Sequence, residues 1–406
     1  MTYATLAVFT VTYALIAGRR LSLLPIGRPA GALLGAVAMV AIGALTPAQS
    51  YAAIDHDTLA LLLGMMLLGV YIDRAGLFGR LTGALLRNFR RPRSLLAAIA
   101  VGSAVLSAFL VNDTVCLFAT PLVVTLCERG RLPYLPFLLA LATSANIGSA
   151  ATLVGNPQNM IIGGMSCLAF TDFLLAALPA VALALAANVA LLFIFFGRHL
   201  PATLAPVALD TPEGDGHARS TALVTLLVIA GFFAGLHPGF LVLGGAALLM
   251  LRDRRDPQAV FARVDWSLLL FFTALFVVIA GLRSTGLVAE AWTWSRGQID
   301  LATPAGLTAF VGLVVLGANL ISNVPFVLMV GEHIGDLGPG AFPWVLLAFT
   351  STVAGNLTLL GSVANIIVAE GARDRHELGF FEYLRFGAVS TLVTLALGVA
   401  VLVLAR

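Results

Sequence analysis

The sequence contains no lysine, and charged residues make up only 11% of its 406 positions. A soluble domain carries roughly 25%, so this chain has too little charge to cover a water-facing surface. Cysteine is nearly as scarce. Cys116, Cys127 and Cys167 stand in apolar runs without CxxC or histidine spacing, which supports neither a disulfide framework nor a metal site. No HExxH and no paired serine and histidine falls at membrane depth, so a membrane-embedded enzyme finds no catalytic groups. The N-terminus, MTYATLAVFTVTYALIAGRR, lacks the basic n-region and cleavage site of a removed signal and reads as a retained first span.

What the chain has in abundance is hydrophobic residues, 60% of the total. Runs such as 59–70, 181–196 and 392–404 are apolar on nearly every helical face. A span needs about 20 mostly apolar residues, and about ten such segments are present, with none of the alternation of a barrel strand. The fold class is therefore all-α and polytopic in a lipid bilayer. Spans are expected at about 2–17, 29–46, 57–72, 171–196, 220–236, 238–251, 264–282 and 381–404, with more broken regions at 94–168 and 303–371.

All 23 basic residues are arginine. They lie scattered at segment ends, so the isoelectric point near 9.0 marks topology and not a nucleic-acid partner. If cytoplasmic ends collect arginine, 20 fall inside, including Arg19, Arg20, Arg90 and Arg255, against Arg283, Arg296 and Arg406 outside. Both termini then face outside the plasma (inner) membrane. The count requires residues 94–127 to enter from the cytoplasm and return to it as a re-entrant hairpin. Its legs are 94–111 and 115–127, and its tip is Asn112, Asp113 and Thr114. Residues 303–335 form the matching hairpin from the other side, with its tip at Ser322 and Asn323. The stretches 76–88 and 286–298 look amphipathic and suit the two interfaces. The only long polar stretch, 200–219, reads as a linker.

An internal repeat underlies this plan. ALATSANIGSAATLVGNPQNMII aligns without gaps with LLAFTSTVAGNLTLLGSVANIIV, setting Thr152 over Thr358, Gly155 over Gly361 and Asn159 over Asn365. Asp55 matches Asp265, Gly76 matches Gly286, and Asn112 matches Asn323. Residues 1–199 and 220–406 are thus expected to be two repeats of opposite orientation. Each carries a hairpin and an interrupted helix (134–168 and 341–371), an arrangement that builds a site at a shared midplane in secondary transporters.

The first interrupted segment holds Ser144, Asn146, Gly148, Ser149, Thr152, Gly155, Asn156 and Asn159, with Pro157 removing a backbone donor. The second holds Thr350, Thr352, Gly355, Asn356, Thr358, Gly361, Ser362 and Asn365, without a proline. Unwound backbone at membrane depth is tolerated only where it lines a cavity or is buried in protein. Its free N–H groups favour an anion or an oxygen-rich neutral solute. Asp113 is the sharpest single residue. A carboxylate at that depth is costly and functional; burial favours its protonated form and a proton-carrying role, whereas a bound cation keeps it ionised. A structural cap on the return leg is the alternative. Asp73, beside Arg74, reads as a surface pair. No arginine falls within either tip or either unwound stretch, which leans the substrate towards a small acid that is neutral at working pH.

At NDTVCLFATPLVV, SANIGSAATLVGNPQN, SNVPFVLMV and AGNLTLLGSVANIIVAEGAR the chain resembles the ion transporter superfamily. That superfamily includes arsenite permeases of the ArsB type, silicic-acid effluxers and divalent-anion:sodium symporters. The resemblance covers nearly the whole chain. It implies a scaffold, mobile transport domains holding the hairpins, elevator-type alternating access and, often, a homodimer. Dicarboxylate members show a Ser-Asn-Thr tip in both hairpins; Val324 departs from that pattern, and the Asn-Asp first tip is more similar to the arsenite and silicic-acid branch. The resemblance implies no cofactor, with a proton, and less readily sodium, as coupling ion. It implies substrate contacts from Asn112, Asp113 and Thr114 with 146–159, and from Ser322 and Asn323 with 352–365. The rival expectation is a sodium- or proton-coupled uptake carrier for sulfate, citrate or a dicarboxylate.

Overall fold

The computed structural model describes residues 1–17, 27–89, 91–203, 216–254 and 256–406. Arg19, Arg20, Arg90, Arg255 and most of the expected linker, 204–215, lie outside the described residues. Within them every regular element is helical.

The first half runs α1 (Thr2–Ala17), α2 (Arg28–Ala41), α3 (Pro47–Ala52), α4 (His56–Arg74), α5 (Leu77–Asn88), α6 (Pro92–Phe109), α7 (Asn112–Gly130), α8 (Tyr134–Ser149), α9 (Pro157–Ser166) and α10 (Phe170–Phe196). The second half repeats that order with α11 (Ala218–Phe233), α12 (Pro238–Asp253), α13 (Gln258–Phe261), α14 (Trp266–Arg283), α15 (Leu287–Arg296), α16 (Pro304–Ile321), α17 (Asn323–Val330), α18 (Phe342–Ala354), α19 (Val363–Gly371) and α20 (Phe380–Leu404). A 3-10 segment, Gly331–Leu337, extends α17. Among the described residues α4, α6, α10, α14, α16 and α20 are long and apolar enough to cross a membrane.

Local chemistry starts the paired helices alike. Asp55 accepts from the Thr58 N–H at 3.0 Å at the head of α4, and Asp265 accepts from the Leu268 N–H at 3.0 Å at the head of α14. The turns into α5 and α15 need a left-handed residue, and glycine fills both: Gly76 at φ 69° and Gly286 at φ 79°. The short α3 and α13, which periodicity did not reveal, precede these two capped starts.

The helices sort into two groups, each drawing equally on both halves. In the first, α2 packs on α14 and α12 on α4, with α1 and α11 alongside. This exchange of partners suits repeats of opposite orientation. Both contacts are close: a Cβ on Gly64 would lie 3.0 Å from Val242, and one on Gly281 2.7 Å from Met39. In the second group α8 packs on α6, α18 on α16, and α10 along α20. The return legs cross over, α7 against α19 and α17 against α9.

The hairpins differ from expectation by a few residues. The first turns at Leu110 and Val111, so Asn112, Asp113 and Thr114 form the opening turn of α7 and not the loop itself. The reason is that the Val115 N–H already reaches the Val111 carbonyl at 3.0 Å, closing a helical turn. The second turns at Ser322, whose φ of 90° is a strained conformation for a side-chain-bearing residue. Pro157 likewise sits at the first turn of α9, where its missing N–H costs nothing, with Asn156 as the cap.

Candidate functional site

The two breaks, 150–156 and 355–362, meet the two hairpin turns in the middle of the second group. The orphan N–H of Asn112 donates to the Gly155 carbonyl at 2.9 Å, tying the first hairpin to the first break. The Thr152 hydroxyl donates to the Ala108 carbonyl at the end of α6. Small residues allow this approach. A Cβ on Gly148 would lie 2.2 Å from the Ala104 carbonyl oxygen, and one on Gly155 2.2 Å from that of Ser149.

Each break is stapled by one asparagine in the same way. Asn159 Nδ2 donates to the carbonyls of Ser149 (3.2 Å) and Thr152 (2.9 Å). Asn365 Nδ2 donates to those of Gly355 (2.8 Å) and Thr358 (3.1 Å), the matching positions of the repeat. Asn146 then joins the halves. Its Oδ1 accepts from Asn112 Nδ2 at 2.9 Å and from Ser362 Oγ at 3.1 Å, and its Nδ2 donates to Asn356 Oδ1 at 2.8 Å and Asn365 Oδ1 at 3.0 Å. Its repeat partner Thr352 does the reciprocal work, its Oγ1 accepting from Asn156 Nδ2 at 3.2 Å and Gln158 Nε2 at 3.1 Å. Asn356 Nδ2 donates to the Thr143 carbonyl at 3.0 Å.

Most of the residues expected from sequence are therefore in one buried amide-and-hydroxyl network. Ser144 is at its edge, accepting from Asn188 Nδ2 at 3.0 Å. Gly361 is packed against the Gly355 carbonyl. Thr358 and Asn323 border the second break. Ser322 stands apart: it is exposed at the turn and its hydroxyl joins no bond among the described residues. Sequence reading missed Gln158, Asn188 with its partner Ser390 (2.7 Å), and Asn319, which donates to the Ala354 carbonyl at 3.0 Å. Asn188 and Asn319 are lone amides in apolar helices, easily taken for packing, whereas Gln158 lies inside the 146–159 stretch between Pro157 and Asn159.

The network is not saturated. Asn159 Oδ1, Asn323 Oδ1 and Thr350 Oγ1 are buried without a hydrogen-bond partner. Two of these are amide oxygens that only accept, and the Thr350 hydroxyl can both accept and donate, so a solute bearing hydroxyl groups would satisfy them.

Two cavities flank the network at the boundary between the helix groups. One, of about 330 Å3, is bounded by α4 and α14 on one side and by Asp113, Thr114 and α19 on the other. Thr114 packs on Gly69 of α4, and the Asp113 carboxylate, 8% exposed, has no hydrogen bond or ion pair among the described residues. Asp113 does not cap α7, since no side chain bonds the helix start at Val111; Asn112 Oδ1 takes the Asp113 N–H at 3.0 Å. The other cavity, about 370 Å3, lies between α14 and the pair α9 and α17, and holds an ion pair of Arg283 with Glu332. Arginine is thus absent from the network but present in both cavities. Asp73, expected to pair with the adjacent Arg74, instead pairs with Arg263 at 2.7 Å, while Arg74 turns to Asp253 at 3.3 Å.

Comparison with known proteins agrees with this architecture. The chain is 31% identical to a putative transporter arsB of Dictyostelium discoideum, over 94% of this chain and 88% of that protein. It is 34% identical to the silicon efflux transporter LSI3 of Oryza sativa subsp. japonica, over 93% and 92%. The crystal structure of the YdaH transporter of Alcanivorax borkumensis, described as having an unusual topology, shares the fold at a TM-score of 0.55 and 15% identity, covering 98% of this chain and 96% of that one. The sequence profile of the citrate transporter family (CitMHS) matches residues 13–354, and the chain is a membrane transporter belonging to that family, within the ion transporter superfamily.

Proposed function

We propose that the protein exports a small hydroxylated inorganic acid, arsenite or silicic acid, in exchange for protons. The observation that carries this reading is the uncharged crossing with its buried, donor-seeking oxygens on Asn159 and Asn323. A neutral acid supplies hydroxyl donors to such oxygens without the desolvation cost of a multiply charged anion. The relatives named for arsenic-type transport and silicon efflux support the same branch. Asp113, open to one cavity and unpaired, is the proton-coupling group. The second helix group is the moving unit of an elevator, because the two cavities lie on its boundary with the first group. A homodimer in the plasma membrane with both termini outside completes the reading, the arginine distribution supporting the orientation.

Purified protein in proteoliposomes, given arsenite, silicic acid, sulfate, citrate or succinate under imposed proton or sodium gradients, tests this. Proton-driven movement of arsenite or silicic acid is expected, and Asp113→Asn is expected to remove the proton drive while exchange persists. The family's citrate description favours a second reading, sodium- or proton-coupled uptake of citrate, sulfate or a dicarboxylate. Sodium-dependent succinate or citrate accumulation would establish that one and sink the first.

A further inference from the structure

Asp113 does not face its cavity alone. Asp265, the cap of α14, lines the same 330 Å3 space from the first helix group. The other charged groups on the lining are Arg28, Arg263 and Glu370. Arg263 is held by Asp73 at 2.7 Å and lies 5.5 Å from the Phe118 ring centre on α7. Among the described residues, buried Cys116 on α7 and Tyr383 on α20 are further titratable groups near the Asp113 turn.

The repeat supplies an internal comparison. Asp55, the match of Asp265, caps α4 with the same geometry and lines the opposite cavity. There the position matching Asp113 is Val324, and the hairpin's Glu332 is already paired with Arg283. Both scaffold caps are kept in the repeat, but only one of them faces a free hairpin carboxylate.

We propose that Asp265 is the second charged member of the coupling site, facing Asp113 across the shared cavity and so governing the closure of the first hairpin on α14. This rests on the reading of Asp113 as the coupling group. With both carboxylates ionised the tip and α14 repel across the cavity; a proton on Asp113 removes that repulsion and lets the helix groups approach on this side. Removing the Asp265 charge eases ionisation of its neighbour, so the proton-driven transport profile moves to lower pH.

The test uses Asp265→Asn, because asparagine caps a helix about as well as aspartate and only the charge is lost. The full-length protein in proteoliposomes is assayed from pH 5 to pH 8 with the solute it moves in the gradient assay above. Asp265→Asn is expected to lower the pH of half-maximal proton-driven transport by about half a unit to one unit, with zero-gradient exchange retained as the check on folding. Asp55→Asn, equally conservative at its own cap, is expected to leave the profile in place. An unmoved profile in Asp265→Asn, alongside an Asp113→Asn variant that has lost pH dependence, overturns the role of Asp265 and leaves the proposed coupling standing. Retained pH dependence in Asp113→Asn overturns both.

Discussion

Asn146 is the residue on which most of the polar crossing turns, because one amide satisfies partners from a hairpin, a break and the opposite half. Its replacement by alanine leaves Asn356 and Asn365 oxygens without a donor, each costing about 1–3 kcal/mol. Asn146→Ala is therefore expected to lower the thermal midpoint in detergent by several degrees and to abolish solute exchange. Thr352→Val keeps the side-chain shape and removes one shared acceptor; it is expected to fold and to weaken apparent solute affinity by about tenfold, the equivalent of about 1.4 kcal/mol. A Thr352→Val protein with wild-type affinity would separate the crossing from the substrate pocket. At this scale much was legible in the sequence. Asn146, Asn159 and Asn365 stand out as amides beside glycines in otherwise apolar runs, and two of them align in the repeat. Asn188 and Asn319 were not legible, since an isolated amide in a span announces no partner until the helices opposite it are known.

Among the elements, the α6–α8 contact leaves no room for a side chain at Gly148. A side chain at Gly148 would collide with backbone of α6, which cannot move aside as a flexible side chain could. Gly148→Ala is expected to destabilise by about 1–3 kcal/mol, read as a lower midpoint and a reduced folded yield. Gly102 on α6 has nothing within 4 Å of a built Cβ. Gly102→Ala is expected to be neutral or to stabilise by up to about 1 kcal/mol through helix propensity. Equal losses from both substitutions would contradict the close approach. Helices at the expected spans 57–72, 171–196, 264–282 and 381–404 were readable from hydropathy and are long enough to cross. Among the described residues those near 2–17, 29–46, 220–236 and 238–251 are shorter, and the expected hairpin legs α6 and α16 are long enough. The turn at Leu110 was not readable, since a hairpin end is fixed by which N–H groups find partners elsewhere, and the partner of Asn112 is Gly155, 43 positions away.

For the whole molecule, the boundary between the helix groups is bridged by different chemistry on its two sides. Arg283 of α14 pairs with Glu332 after α17, and Arg296 Nη2 donates to the Asp336 carbonyl at 2.8 Å. On the other side Arg263, among the described residues, meets the α7 hairpin through the ring of Phe118. The Arg283–Glu332 side chains are 25% and 58% exposed, so the pair contributes about 0–1 kcal/mol. Glu332→Gln is expected to change the balance between the two access states of the proposed elevator by no more than about fivefold. Accessibility of single cysteines placed in each cavity would report it, and no change on either side would remove the pair from the transport cycle. This division into two groups was only partly visible in the sequence. The repeat was legible from aligned motifs; the exchange of partners, α4 with α12 and α14 with α2, joins residues too far apart for periodicity to register.

That exchange also governs how the protein is made. The face of α4 that α12 covers emerges roughly 180 residues before its partner does. At synthesis rates of about 5–20 residues per second, the first half waits about 10–40 s in the bilayer with an unsatisfied surface. The α4 face must be sheltered by lipid or by the insertion machinery until translation is almost two-thirds complete, and the face of α10 that α20 covers until the last helix is made.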